Sequence, residues 1–220
     1  MDANLTDDEK LEQLKKWWGE NGGSIITGVV LGLAVLFGGK AWFSWQERNA
    51  QNASNLYTVL MNSMAGGDAM AVSQKAGVLV AEYSDTPYAA LASLALAKVR
   101  IEAGELEAAQ AQLEWVLENS KSDIMQDTAR LRLARVLIAM ENLEGAETLL
   151  NQVPGGDAFE PLYAEVGGDI FVARGNMTAA NQAYQEALAA TATGSPERHL
   201  LELKYQGTQV VSADAGELQE

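Results

Sequence analysis

One stretch limits the possible architecture more than any other. From Asn21 to Gly39 the chain has no charged residue, reading NGGSIITGVVLGLAVLFGG before Lys40 and AWFSW. A helix from Ile25 to Phe43 would rise about 28 Å, close to the hydrocarbon thickness of a bilayer. Trp17 and Trp18 precede the run, and Trp42 and Trp45 follow it, so four of the five tryptophans bracket one apolar segment. Indole rings collect at the two membrane–water interfaces, and the Lys40 stem can carry its ammonium to the headgroups. A cleavable signal peptide has a shorter apolar core ending at small residues, whereas this run exits into bulky ones. Residues 21–45 are therefore expected to form a transmembrane helix behind a short N-terminal tail, residues 1–20. Ser24, Gly28 and Gly32 lie four apart on one face, a spacing that lets another membrane helix pack closely.

The flanking charges bear on orientation. Lys10, Lys15 and Lys16 lie before the span, and Lys40 and Arg48 lie at and after its exit. Cytoplasmic flanks are the richer in Lys and Arg. This favours a cytoplasmic N-terminus and an exported C-terminal domain.

Beyond the anchor the chain repeats itself. Ala97, Gly104, Leu106, Ala109 and Leu113 recur as Ala134, Glu141, Leu143, Ala146 and Leu150, and again as Gly168, Gly175, Met177, Ala180 and Tyr184. Such a period marks stacked helix pairs. The small residue at Ala97, Ala134 or Gly168 lets the paired helix approach. The turn wants a permissive backbone, as Gly104 and Gly175 supply; in the middle unit Asn142, beside Glu141, is expected to take the left-handed position. A degenerate earlier unit centres on Gly67. Pro87 and Pro196 suit helix starts. One unit cannot bury its apolar face alone, so neighbours must stack. The expected fold is all-α: one transmembrane helix, then a tetratricopeptide-like solenoid of three to four helix pairs over residues 46–211. A capping helix over 197–211 closes it, and a flexible acidic tail, 212–220, follows.

Composition narrows the function. Fifteen basic residues against thirty acidic ones give a net charge of −15. A nucleic-acid partner is disfavoured, because affinity for polyanions comes from Lys and Arg. There is no cysteine, which excludes thiolate metal sites, disulfides and cysteine nucleophiles. His199 is the single histidine, and no partners for a triad or a metal site stand out around it. Gly39-Lys40 ends like a phosphate loop, but Ala34 replaces the first glycine. No catalytic, metal or cofactor residues are assigned, and an enzyme is not expected. The candidate binding site is the face made by the first helix of each unit. One unit supplies Leu91, Leu94, Lys98 and Ile101, and the next supplies Leu131, Arg132, Arg135 and Ile138. In so acidic a chain, Lys98, Arg132 and Arg135 would form a basic stripe among leucines, suited to a carboxylate or to a peptide with apolar anchors. The competing reading has these arginines bracing the helix stack against glutamates.

Taken whole, the chain resembles the YfgM family of bacterial inner-membrane proteins. The resemblance rests on LKKWWGENGGSIITGVVLG (Leu14 to Gly32), YAALASLALAK (Tyr88 to Lys98) and LRLARV (Leu131 to Val136), and it extends over nearly the full length. It implies an ancillary subunit of the Sec translocon, anchored in the inner membrane with its domain in the periplasm. The implied partners are the translocon membrane subunits, a membrane-anchored periplasmic chaperone of the prolyl-isomerase type, and unfolded exported proteins. The acidic tail is longer than the family pattern. A cytoplasm-facing scaffold that recruits a soluble partner is the alternative function.

Overall fold

The computed structural model describes residues 7–152 and 157–217. Two compact units divide at Gln51 and Asn52. Helix α1 (Asp7–Ala65) contributes to both, and each unit is described by itself.

In the first unit, α1 is helical throughout the apolar run. Ile26, Val29, Leu31, Val35, Leu36 and Phe37 are all exposed. Among the described residues, α1 is the one helix long and apolar enough to cross a membrane. Thr27 donates its hydroxyl to the Gly23 carbonyl at 2.8 Å, so its polar group is satisfied within the helix, as an apolar medium requires. The Trp42 and Trp45 rings sit 5.5 Å apart at the far end of the run.

The second unit is entirely helical among the described residues. The end of α1 pairs with α2 (Ala69–Glu82). Then come α3 (Pro87–Glu102) with α4 (Leu106–Asn119), and α5 (Asp123–Ala139) with α6 (Leu143–Asn151). Finally α7 (Glu160–Ala173) pairs with α8 (Met177–Ala190), and α9 (Pro196–Glu217) closes the array. That is four pairs and a cap. The terminal helix exceeds the expected 197–211: its backbone stays helical through Glu217, across residues that include the helix formers alanine and glutamate. Residues 218–220 of the expected tail lie outside the described residues.

One turn design joins the helices within every pair. A residue at positive φ follows the first helix: Gly67 (72°), Gly104 (76°), Glu141 (61°) and Gly175 (75°). In each case its N–H and the next one bond back to the helix. Gly104 donates to Ile101 and Glu105 to Arg100; Glu141 donates to Ile138 and Asn142 to Leu137; Gly175 donates to Val172 and Asn176 to Phe171. These are paired bonds that satisfy carbonyls left over at a helix end. The left-handed residue in the middle unit is thus Glu141, not Asn142 as expected from sequence. Asn142 is already committed, because its side chain caps α6 by accepting the Gly145 N–H at 3.0 Å. Asp68 and Asn176 cap α2 and α8 in the same way.

The core is a string of small clusters. Ala53 and Leu60 pack with Val72, Ala76, Leu79, Ala92 and Leu96. Leu94, Ala97, Ala109, Leu113, Val116, Leu133 and Ala146 form the central cluster. Leu131, Ala134 and Val166 bridge α5 to α7. Ala180, Tyr184, Ala187 and Leu201 close the end. The repeated small residues sit where helices meet: Ala97, Ala109, Ala134, Ala146 and Ala180 are fully buried. At Gly168 a Cβ would stand 2.4 Å from the Tyr184 ring, so this glycine makes room for an aromatic on the paired helix.

Candidate functional site

Two of the helices that open a pair, α3 and α5, carry the expected binding residues. Their sequence spacing of three and four puts successive side chains on one face. Ile101, Leu106, Arg132, Arg135, Val136 and Ala139 line a cleft of 190 Å³ between α3, the start of α4 and α5. Its walls are apolar, and the Arg132 and Arg135 side chains border it. Of the expected set, Arg132 and Arg135 meet here, with Ile101 opposite. Lys98 lines a neighbouring recess with Met64, Val99 and Glu102, and lies 3.7 Å from Glu102 on its own helix. Leu94 is 7% exposed and belongs to the central core; what it offers this face is its carbonyl. Leu91 is half-buried and lies outside the cleft.

The arginines are lightly engaged. Arg132 donates from Nη1 to the Leu94 carbonyl at 3.5 Å. Arg135 Nη2 stands 3.5 Å from Glu165 Oε1 on α7. That carboxylate oxygen has a closer partner, Lys204 Nζ of α9 at 2.6 Å. A guanidinium has five N–H donors, and among the described residues each arginine commits one of them at long range. Both readings of the sequence therefore have a counterpart: Arg135 reaches a glutamate across the helix stack, and its side chain also borders the cleft.

Lys204 organises the neighbouring carboxylates. It donates to Glu165 at 2.6 Å and to both oxygens of Asp169 at 2.7 and 2.9 Å. Asp169 also accepts the Tyr184 hydroxyl at 2.8 Å. Burial, with the Asp169 and Glu165 carboxylates nearby, holds the Tyr184 hydroxyl far above the ordinary tyrosine range. A second polar cluster pins α5 to α7. Asp127 Oδ1 accepts from Arg130 at 2.8 Å and from the Tyr163 hydroxyl at 2.7 Å, and both charged groups are buried. Sequence reasoning missed both clusters. The Lys204 contacts span more than thirty residues without any periodic signal. Asp127 and Arg130 are an i,i+3 pair, a spacing that carries no signal of burial.

On the first unit, Ser24, Gly28 and Gly32 form one exposed stripe of α1. A Cβ built at Gly28 or Gly32 meets nothing within 4 Å. Among the described residues no group of His, Asp and Glu has the arrangement of a metal site.

The chain is similar to known proteins over most of its length. A family model described as a tetratricopeptide repeat-like domain matches residues 15–209, anchor included. The chain is 34% identical over 187 residues to the ancillary SecYEG translocon subunit of Haemophilus influenzae, covering 85% of this chain and 91% of the relative. It is 29% identical over 195 residues to the protein of that name from Escherichia coli, covering 88% and 92%. The protein of that name from Neisseria gonorrhoeae is 27% identical over 208 residues, covering 93% and 98%. With paired helices, left-handed turns and buried small residues in register along the array, the chain belongs to the tetratricopeptide repeat-like family that these ancillary translocon subunits represent, the YfgM family.

Proposed function

We propose that the chain is a single-pass inner-membrane protein that serves as an ancillary subunit of the Sec translocon and binds proteins rather than transforming them. The observation that carries this is the reach of the similarity. The family model runs through the anchor as well as the repeats, over residues 15–209, and the match to the Haemophilus influenzae subunit covers 85% of the chain. Repeats alone would support only a generic scaffold. In this reading the N-terminus is cytoplasmic, in line with Lys10, Lys15 and Lys16 before the span, and the repeat domain is periplasmic. The Ser24, Gly28 and Gly32 stripe packs against a translocon membrane subunit. The helical array works with a membrane-anchored chaperone of the prolyl-isomerase type and receives newly exported, unfolded segments.

Site-specific photocrosslinking from Gly28 and Gly32 tests the membrane contact, with translocon subunits expected among the adducts. Protease added to the periplasmic side should digest the repeat domain. A protected domain and no translocon adduct would overturn the proposal in favour of a cytoplasm-facing scaffold.

A further inference from the structure

We propose that the cleft between α3 and α5 binds a partner segment in which an aliphatic side chain stands beside carboxylates. The cleft takes the aliphatic group, and Arg132 and Arg135 take the acids. This deepens the proposed role as an interaction module and rests on it. Three observations converge. An apolar cavity of about 150 Å³ is large enough to hold benzene, so a 190 Å³ cleft has room for one leucine-sized side chain. The two arginines stand one helical turn apart on α5, a separation that neighbouring carboxylates of a bound segment can match. Charge complementarity fixes the sign of the ligand: in a chain of net charge −15, this apolar recess is flanked by two cations whose donors are mostly unspent.

The structure also shows why Arg135 is only loosely held. Glu165 is the carboxylate that could quench it, yet Glu165 lies 2.6 Å from Lys204 and 3.5 Å from Arg135. Lys204 of the capping helix therefore sets the acidity available to Arg135. Lys204 and Glu165 are positioning residues for the site and do not line it.

The probe is a short labelled peptide alternating leucine and glutamate, titrated by fluorescence anisotropy against the full-length chain in neutral detergent. Saturable binding is expected. Arg132→Gln and Arg135→Gln should each weaken it about tenfold, the scale of a lost charge-assisted hydrogen bond. Ala139→Phe, which fills the cleft from an exposed position, should abolish binding with helicity unchanged. Lys204→Met should weaken binding by releasing Glu165 onto Arg135, and Glu165→Gln should tighten it. Glu118→Gln, the same charge change at an exposed site on α4, should alter nothing. Replacing the peptide leucines by serine should remove binding, as should replacing its glutamates by glutamine.

The proposal is overturned if the wild-type chain does not bind the peptide, if the serine peptide binds equally well, or if Glu118→Gln matches Glu165→Gln. Peptide binding without translocon crosslinks would sink the proposed function and leave the cleft chemistry standing. Crosslinks without peptide binding would do the reverse.

Discussion

At the scale of single residues, adjacent glycines behave differently. Gly168 lies under the Tyr184 ring, whereas a Cβ on Gly167 meets nothing within 4 Å. Gly168→Ala forces the ring or the helix to move and should cost about 1–3 kcal/mol, the usual penalty for overpacking. Gly167→Ala should be neutral or stabilise by up to about 1 kcal/mol, because alanine restricts the unfolded chain more than glycine does. Thermal melts of the full-length pair in detergent compare them, and equal losses would rule out the ring contact as the cause. The need for a small residue at 168 was legible from its spacing with Ala97 and Ala134. That the obstacle is an aromatic ring was not, since spacing names the place and not the neighbour. Tyr184 adds a pH dependence. Its proton is held more tightly in the folded chain, so as pH rises through about 10 the unfolded chain loses that proton first. The folded state then binds more protons, and stability falls with pH. Tyr184→Phe should flatten that fall in urea melts taken between neutral and strongly alkaline pH.

At the scale of elements, α5 and α7 are joined by apolar contacts and by one buried polar knot. Asp127, Arg130 and Tyr163 share hydrogen bonds of 2.7 to 3.1 Å. Removing one charge leaves the other buried and unpaired, so Asp127→Ala should cost about 3–5 kcal/mol. Replacing both together, Asp127→Leu with Arg130→Met, should cost distinctly less, because no uncompensated charge remains. Denaturant melts of both variants measure the difference; similar losses would mean that shape, not charge, sets the penalty. The helix pairs themselves were legible because small residues recur at each crossing and turn residues recur at each break. The knot was not, because hydrophobic periodicity treats every charge as solvent-facing. Glu141 shows the same limit for the backbone: three bonding groups at the turn demand left-handed geometry there, and the residue type alone suggested its neighbour.

For the molecule as a whole, the anchor is the clearest feature of the sequence, since an uncharged run flanked by tryptophans has few other uses. Leu31→Arg places a cation near its middle, at a cost of about 2.5–3.5 kcal/mol on insertion scales. Alkali extraction should then release the variant from membranes that retain the wild type. The binding face was legible in part. Arg132 and Arg135 were marked because the repeat puts them on the first helix of a unit in an acidic chain, but the role of Lys204 depends on where the last helix lands. The clusters along the array carry a further consequence for how it opens. Each helix leans chiefly on its neighbours, and among the described residues the final cluster has only Ala180, Tyr184, Ala187 and Leu201 as its buried members. Stability in such arrays is close to a sum of local terms, so the chain need not unfold all at once. Amide exchange should proceed fastest in α9, then α8, and slowest in α3 to α5, whereas uniform protection would indicate a single cooperative block. Lys204 rides on α9, so fraying of that helix would hand Arg135 back to Glu165. Opening at the end of the array would thus couple to the charge the cleft can offer.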